Sequence, residues 1–253
     1  MDLGLVGRSA IVTGASRGLG RAIATALATE GARLTVCARG PEALAATAAE
    51  LRAAGASVLA VAADVTDPAD AERLVREAAA AHGGIDVLVN NAGAAVREGE
   101  VVERWRVSFE VNVIAALRLM ELAKPHLAAS GQGAVVNVSS IYGRESGGPP
   151  QYNASKAAQI AMSKAYALEW AAQGIRVNNV APGSIAFEGG SWGRRLREEP
   201  EAMARFIAQQ IPGGRFGTPE ELAAAVVFLA SPRASWIVGA TLNVDGGQSR
   251  SNI

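Results

Sequence analysis

Short runs of β-branched residues alternate with longer alanine-rich stretches from one end of the chain to the other, and this alternation restricts the fold more than any other feature. Residues 9–13, 33–37, 57–62, 86–90, 133–139, 175–181 and 240–244 read as strands. Between them lie helical stretches at 22–29 and 42–54, one from Pro68 to His82-Gly83-Gly84, then 101–129, 152–172 and one opening at Pro219. The strands are apolar on both sides rather than alternating, as strands buried on both faces are. Parallel neighbours need a crossover of a dozen or more residues, which is what the helices supply. The expectation is an α/β chain, one doubly wound parallel sheet of about seven strands, in a single domain over 1–253.

No repeat, charge run or low-complexity linker divides the chain. The long aperiodic stretch is 182–219, rich in Gly, Arg and aromatic residues, with a helix expected over 201–209. A stretch of that length inside a compact domain is usually functional, so a substrate lid is expected at about 184–218. Basic and acidic residues balance at 24 each, which argues against nucleic acid or an anionic membrane as partner. Cys37 is the sole cysteine, so neither an intrachain disulfide nor a thiolate metal cluster is expected, and no metal site is assigned. Residues 1–8 lack the apolar stretch of a signal peptide and no run approaches a membrane span, which points to a soluble cytoplasmic protein.

Two short motifs carry chemistry. Thr13-Gly14-Ala15-Ser16-Arg17-Gly18-Leu19-Gly20 follows the first strand and opens the first helix. Glycines there allow a tight turn and let a pyrophosphate approach the helix N-terminus, where free N–H groups and the helix dipole favour an anion. Tyr152 and Lys156 lie four residues apart on a helix, so their side chains share a face. A phenol titrates near pH ~10, and an adjacent ammonium lowers that value toward a usable acid or base.

The glycine spacing resembles the Thr-Gly-x-x-x-Gly-x-Gly motif of the short-chain dehydrogenase/reductase family. Further matches follow in order: Asn90-Asn91-Ala92-Gly93, Asn112, Ser139-Ser140, Tyr152-x-x-x-Lys156, Arg176-Val177-Asn178 and Pro182-Gly183. The resemblance spans about 8–247 and is specific as an ordered set. It implies a Rossmann-type fold and a ketoreductase-like oxidoreductase, similar to 3-oxoacyl-thioester reductases, that interconverts a carbonyl and a secondary alcohol. Reductases or dehydrogenases of sugars, steroids or small alcohols share the fold. A catalytically silent NADP-binding regulatory protein is an alternative of another class, and an epimerase or dehydratase that keeps its nucleotide a third.

Mapped onto this sequence, the resemblance makes Asn112, a serine, Tyr152 and Lys156 the catalytic set. Lys156 also bonds the nicotinamide ribose, and Asn112 distorts its helix so that its carbonyl holds a water leading to Lys156. Counting back from Tyr152 by the family's common interval gives Ser139 as the serine. The local pattern Ser140-Ile141-Tyr142-Gly143 gives Ser140 instead, which is preferred because loop lengths vary more readily than strand registers.

For the cofactor, the resemblance assigns Gly14, Ser16, Arg17, Gly18, Leu19 and Gly20 to the phosphates. Asp64 and Val65 bracket the adenine, Asn90, Ala92 and Gly93 lie at its ribose, and Pro182, Gly183 and Ile185 orient the nicotinamide. Asp64 and Asp67 also look like caps of the helix at Pro68. An acidic residue after the second strand would select NAD, but that position is Ala38. Arg39 follows it and Arg17 lies in the loop, two guanidiniums suited to a 2′-phosphate, so NADP(H) is expected. The family often carries a threonine near the position held here by Phe187. Tyr142, Phe187 and Trp192 are expected to cover the substrate, with Arg144, Arg194, Arg195 and Arg197 available to an anion. Alanines at 154, 157, 158, 161, 165 and 167 suit the close helix pairing of a family homotetramer, and 248–253 is expected at a further subunit contact.

Overall fold

A computed structural model describes residues 2–252; of the stretches named above, only Met1 and Ile253 lie outside it. Seven strands form one parallel sheet: β1 (Ser9–Thr13), β2 (Arg33–Ala38), β3 (Val58–Ala62), β4 (Val87–Asn90), β5 (Gly133–Val138), β6 (Ile175–Pro182) and β7 (Thr241–Val244). Their order is β3-β2-β1-β4-β5-β6-β7. The chain therefore starts in the middle, runs outward to β3, and crosses back to place β4 beside β1. Ligands of open α/β sheets bind outside the strand C-termini at such a reversal. Both glycine-loop and tyrosine motifs follow strands near it.

Helices α1 (Gly18–Thr29), α2 (Pro41–Ala53) and α9 (Pro219–Ala230) cover one face, and α3 (Pro68–His82), α5 (Ala115–Ala129) and α6 (Pro150–Trp170) the other. On β1 this division is visible residue by residue. Ala10 and Val12 join the cluster with Ile23, Leu44 and Leu222, while Ile11 joins Leu74, Leu119 and Trp170. A strand with apolar partners on both faces has no room for polar alternation, which is why the strand runs read as continuous.

Three differences from the sequence expectation matter. The first helix begins at Gly18 rather than at 22, because the glycine turn passes directly into helical backbone. The helical region expected over 101–129 divides in two: α4 (Val101–Phe109) passes through a π-helical turn at Glu110–Ile114, around Asn112 where the resemblance implies a distortion, into α5. Helix α7 (Ser191–Glu198) precedes α8 (Pro200–Gln210) and was not foreseen, since Ser-Trp-Gly-Arg-Arg-Leu-Arg-Glu offers too few apolar positions to reveal a period.

Segment 184–218 is closed at its base. Ala186 N donates to Gly217 O (2.9 Å) and Gly217 N to Ser184 O (3.1 Å). It builds its own small core of Met203, Ile211 and Phe216, with Trp192, Phe206 and Ile207 packed against them. The buried Arg176 closes the far end of α9 by donating to the carbonyls of Leu229 (2.7 Å), Ala230 (3.3 Å), Ser231 (3.0 Å) and Ala234 (3.2 Å). Among the described residues no helix is long and apolar enough to cross a membrane, and no cluster of His, Cys, Asp and Glu could hold a metal.

Candidate active site

The glycine loop is held by backbone contact that only glycine permits. A Cβ on Gly20 would collide with the Gly14 carbonyl, and one on Gly14 would lie 2.9 Å from Asn91 Nδ2 and 3.2 Å from Ala92 Cα. Gly14 and Gly18 adopt φ of 64° and 54°, the left-handed region that L side chains avoid. Thr13 and Asn91 tie the loop to the end of β4. Thr13 Oγ1 accepts from the Asn91 and Ala92 amides, both at 3.0 Å, and Asn91 Nδ2 donates to Thr13 O at 2.9 Å. Helix α1 starts without a side-chain cap and without an acidic residue in its first turn. Its leading N–H groups are thus left to a ligand, as an anion site requires.

Beyond the C-terminus of β5 the two serines part. Ser139 Oγ donates to the Lys156 carbonyl (3.2 Å), into the body of α6. Ser140 turns the other way: its hydroxyl is hydrogen-bonded to that of Tyr152 and accepts from Tyr142 N at 3.1 Å. Burial pushes the Tyr152 phenol above its ordinary value; the Ser140 hydrogen bond opposes that, and nearby Tyr142 adds to it. Lys156 is 3% exposed, with Nζ 5.8 Å from the Tyr152 ring centre. It donates to Val138 O (2.8 Å) and Gln159 Oε1 (3.1 Å), two neutral acceptors. Burial alone drives its ammonium down to about 7.

Asn112 sits inside the π-helical turn, fully buried. Its side chain grips the loop after β4, accepting from Ala94 N (3.1 Å) and donating to Ala94 O (2.9 Å). It also reaches Ser155 Oγ (3.2 Å), which is 3.1 Å from Ser108 Oγ; Ser108 in turn donates to Gln151 O at 3.1 Å. This knot fixes the first turn of α6, and with it Tyr152, against α4.

With this geometry stands the relationship to known proteins. A family model described as enoyl-(acyl carrier protein) reductase matches residues 14–249. The 3-oxoacyl-[acyl-carrier-protein] reductase of Escherichia coli (strain K12) is 38% identical over 95% of this chain and 97% of its own. Galactitol 2-dehydrogenase (L-tagatose-forming) of Cereibacter sphaeroides is 41% identical over 96% and 95%. The L-sorbose reductase of Gluconobacter frateurii, solved with NADPH and L-sorbose, superposes with a TM-score of 0.90 at 36% identity, covering 99% of this chain and 100% of that one. The chain belongs to the short-chain dehydrogenase/reductase family. It is an oxidoreductase acting on the CH–OH/C=O pair.

The remaining residues of the expected set sit as follows on this short-chain dehydrogenase/reductase. Ala38 ends β2, and Arg39, its side chain 81% exposed, stands 4.0 Å from Asp64. Arg17 is exposed and Ser16 half-buried. Leu19 lies in the first turn of α1, and Val65 is buried below Asp64. Only one of the two aspartates considered as caps serves α3: Asp67 accepts from Asp70 N (3.0 Å), while Asp64 accepts from Thr66 N (3.0 Å) and Thr66 Oγ1 (2.8 Å). Asn90 donates to Asn137 Oδ1 (2.8 Å), and its own Oδ1 has no partner among the described residues. Gly93 is so close to the site that a Cβ there would stand 2.8 Å from Asn112 Oδ1 and 3.4 Å from Lys156 Nζ.

Pro182 ends β6 and Gly183 presses on Asp245, where a Cβ would come within 2.7 Å of the Asp245 Cβ. Ile185 is buried and pairs with Gly217. Of the proposed substrate cover, Tyr142 stays beside Tyr152, but Trp192 is spent inside 184–218, stacked at 4.9 Å on Phe206 and 5.2 Å from Phe216. Phe187 lies against Gly18 and Gly190. Arg144 is not free for an anion either: it donates to Asn243 Oδ1 (2.8 Å) and Thr241 O (3.1 Å), fastening β7. Arg194 and Arg195 pair with Glu198 and Glu199.

Several supporting contacts escaped the sequence reading, although Asn90 itself was already expected at the adenine ribose. Asn90, Asn137 and Asn179 are register partners on β4, β5 and β6, bridged through Ser163, which is 2.8 Å from both Asn137 Nδ2 and Asn179 Oδ1. Gln248 Oε1 accepts from Ser184 N at 2.7 Å and holds the backbone after Gly183. Asparagines embedded in apolar strand runs were the available signal for the first group; for Gln248 there was none.

Proposed function

We propose that this protein is an NADP(H)-dependent oxidoreductase that interconverts a ketone and a secondary alcohol, with Tyr152 as acid and base. The hydroxyl pair Ser140–Tyr152 carries this reading. Ser140 holds a carbonyl oxygen toward Tyr152, which donates its proton to that oxygen in reduction and recovers it in oxidation. Lys156, one helical turn on, contributes an ammonium whose field favours the phenolate and a donor for the nicotinamide ribose. The Asn112 backbone carbonyl, in its π-helical turn, holds a water through which protons pass between Lys156 and solvent.

The glycine loop fits a dinucleotide: its close-packed backbone and uncapped α1 N-terminus suit a pyrophosphate. When bound, the nicotinamide supplies or accepts the hydride. Gly14, Ser16, Gly18, Leu19 and Gly20 cradle the phosphates, Asp64 and Val65 the adenine, and Asn90, Ala92 and Gly93 its ribose. Backbone groups of Pro182, Gly183 and Ile185 orient the carboxamide. Arg17 and Arg39 take a 2′-phosphate, and Ala38 offers no acceptor to a free 2′-hydroxyl. The L-sorbose reductase solved with NADPH supports the same choice.

Segment 184–218 is the substrate lid. The first substrate reading is a 3-oxoacyl thioester, supported by the E. coli relative. A second, a keto sugar or polyol, is favoured by the 41% identity to galactitol 2-dehydrogenase and by Arg144 being committed to β7. An NADPH-oxidation screen over acetoacetyl thioester, L-sorbose, cyclic ketones and diketones tests both. Tyr152→Phe should lower turnover of whichever substrate is found by at least about 10²-fold while still binding NADPH. Dinucleotide binding with no turnover on any substrate would instead indicate a regulatory binding protein. The protein acts in the cytoplasm as a homotetramer, a reading supported by the exposed Leu168 and the almost fully exposed Trp236; a monomeric mass by light scattering would refute the assembly.

A further inference from the structure

Three of the lid's glycines, Gly189, Gly190 and Gly193, follow Phe187 closely in the chain, and no reading of cofactor or substrate binding requires them. Gly190 and Gly193 press on Phe187 itself. Gly189 turns the chain at φ 76°, a Cβ on Gly193 would strike the Phe187 carbonyl oxygen, and a Cβ on Gly190 would lie 2.8 Å from Phe187 Cζ. The same edge of the ring lies on the dinucleotide loop: a Cβ on Gly18 would be 2.5 Å from Cε2 and 2.6 Å from Cζ. The Phe187 ring thus fills a slot with a glycine on each wall, one from the lid and one from the first turn of α1. It also borders a groove of about 710 Å³ between α1 and α9, lined further by Ala22, Ala26, Ala223 and Val227. Gly18 lines that groove as well, so the ring and the first turn of α1 share one wall of it.

We propose that Phe187 is a latch that couples the lid to the dinucleotide loop, so that order in the lid and affinity for the cofactor rise and fall together. This rests on the proposed function for the identity of the cofactor; the latch itself rests on packing. The physical reason is that an apolar ring seated between two glycines gains contact only when both walls are in place. Fixing α7 relative to α1 before binding spares the ligand that ordering cost.

The lid supplies its own probe, because Arg194, Arg195 and Arg197 of α7 are trypsin sites. Two variants separate the latch from a simple loss of apolar bulk. Phe187→Ala removes the ring. Gly190→Ala keeps it but pushes a methyl into its seat, at a residue whose φ of −83° tolerates alanine. Both should speed tryptic cleavage within 191–198 and weaken NADPH binding by about tenfold, an estimate for lost packing at a half-buried ring. Phe187→Leu should recover part of both effects. Bound NADPH should slow cleavage of the wild type more than of either variant. Faster cleavage with unchanged NADPH affinity would overturn the coupling, and unchanged cleavage in both variants would overturn the latch. If the wild type binds neither NADPH nor NADH, the proposed function fails and the coupling with it; if only NADH binds, the same comparisons are read with NADH.

Discussion

Lys156 is an ammonium buried to 3% exposure with two neutral acceptors and no carboxylate lowering its cost, so its charge destabilises the fold. The perturbation is Lys156→Met, which keeps the length of the stem and removes the charge. The fall from 10.5, the ordinary value of a lysine, to about 7 corresponds to about 5 kcal/mol at ~1.36 kcal/mol per tenfold change in proton affinity. The folded-state value is depressed, so the unfolded chain binds the proton more tightly, and stability rises with pH across the interval between the two values. The penalty is fully present below about pH 7 and gone above about 10.5. Met leaves the Val138 carbonyl and the Gln159 side chain without their donor, costing about 1–2 kcal/mol. The net expectation is a gain of roughly 2–4 kcal/mol at pH 7, shrinking by about 2 kcal/mol on going to pH 9. Urea melts of both proteins at pH 6.5, 7, 8 and 9, at one protein concentration because assembly adds to stability, provide the measurement. A difference that stays constant over that range, or a variant less stable at every pH, would refute the reasoning.

Ser140→Ala should lower kcat by about 10²-fold, the loss of one positioned hydroxyl at the reacting oxygen, whereas Ser139→Ala should leave kcat nearly intact and cost about 1 kcal/mol of stability from its bond to the Lys156 carbonyl; steady-state kinetics and melting distinguish them. Arg39→Ala should raise KM for NADPH by about tenfold with little change for NADH, as expected of one charge-assisted contact to a 2′-phosphate, and equal efficiency of the wild type with both cofactors would contradict it. Arg176→Met should destabilise the protein by about 1–3 kcal/mol, because four carbonyls at the end of α9 lose their donor while relief of the buried guanidinium offsets part of that loss, and an unchanged urea midpoint would contradict that account.

Periodicity and glycine chemistry are local properties, and what rests on them was legible in the chain. The seven strands lie within a residue or two of their expected places, the parallel sheet follows from runs apolar on both faces, and the spacing of Gly14, Gly18 and Gly20 marks the loop at the first helix. Tyr152 and Lys156 share a helix face because four residues make about one turn. What lies across the fold could not be read this way. Whether Ser139 or Ser140 meets Tyr152 depends on how β5 ends against α6, and adjacent residues differ only in which side of the strand they leave. Trp192 and Arg144 looked like substrate contacts, but the small core of 184–218 and β7 claimed them, because packing partners are set by distance in space. The asparagine ladder of β4, β5 and β6 arises from strand register, which joins residues 90, 137 and 179. The chain by itself determined the sheet, the dinucleotide loop and the tyrosine–lysine pair. Only the tertiary structure decided which hydroxyl faces the tyrosine, how far burial lowers the lysine, and that Phe187 is held between two glycines far apart in the chain.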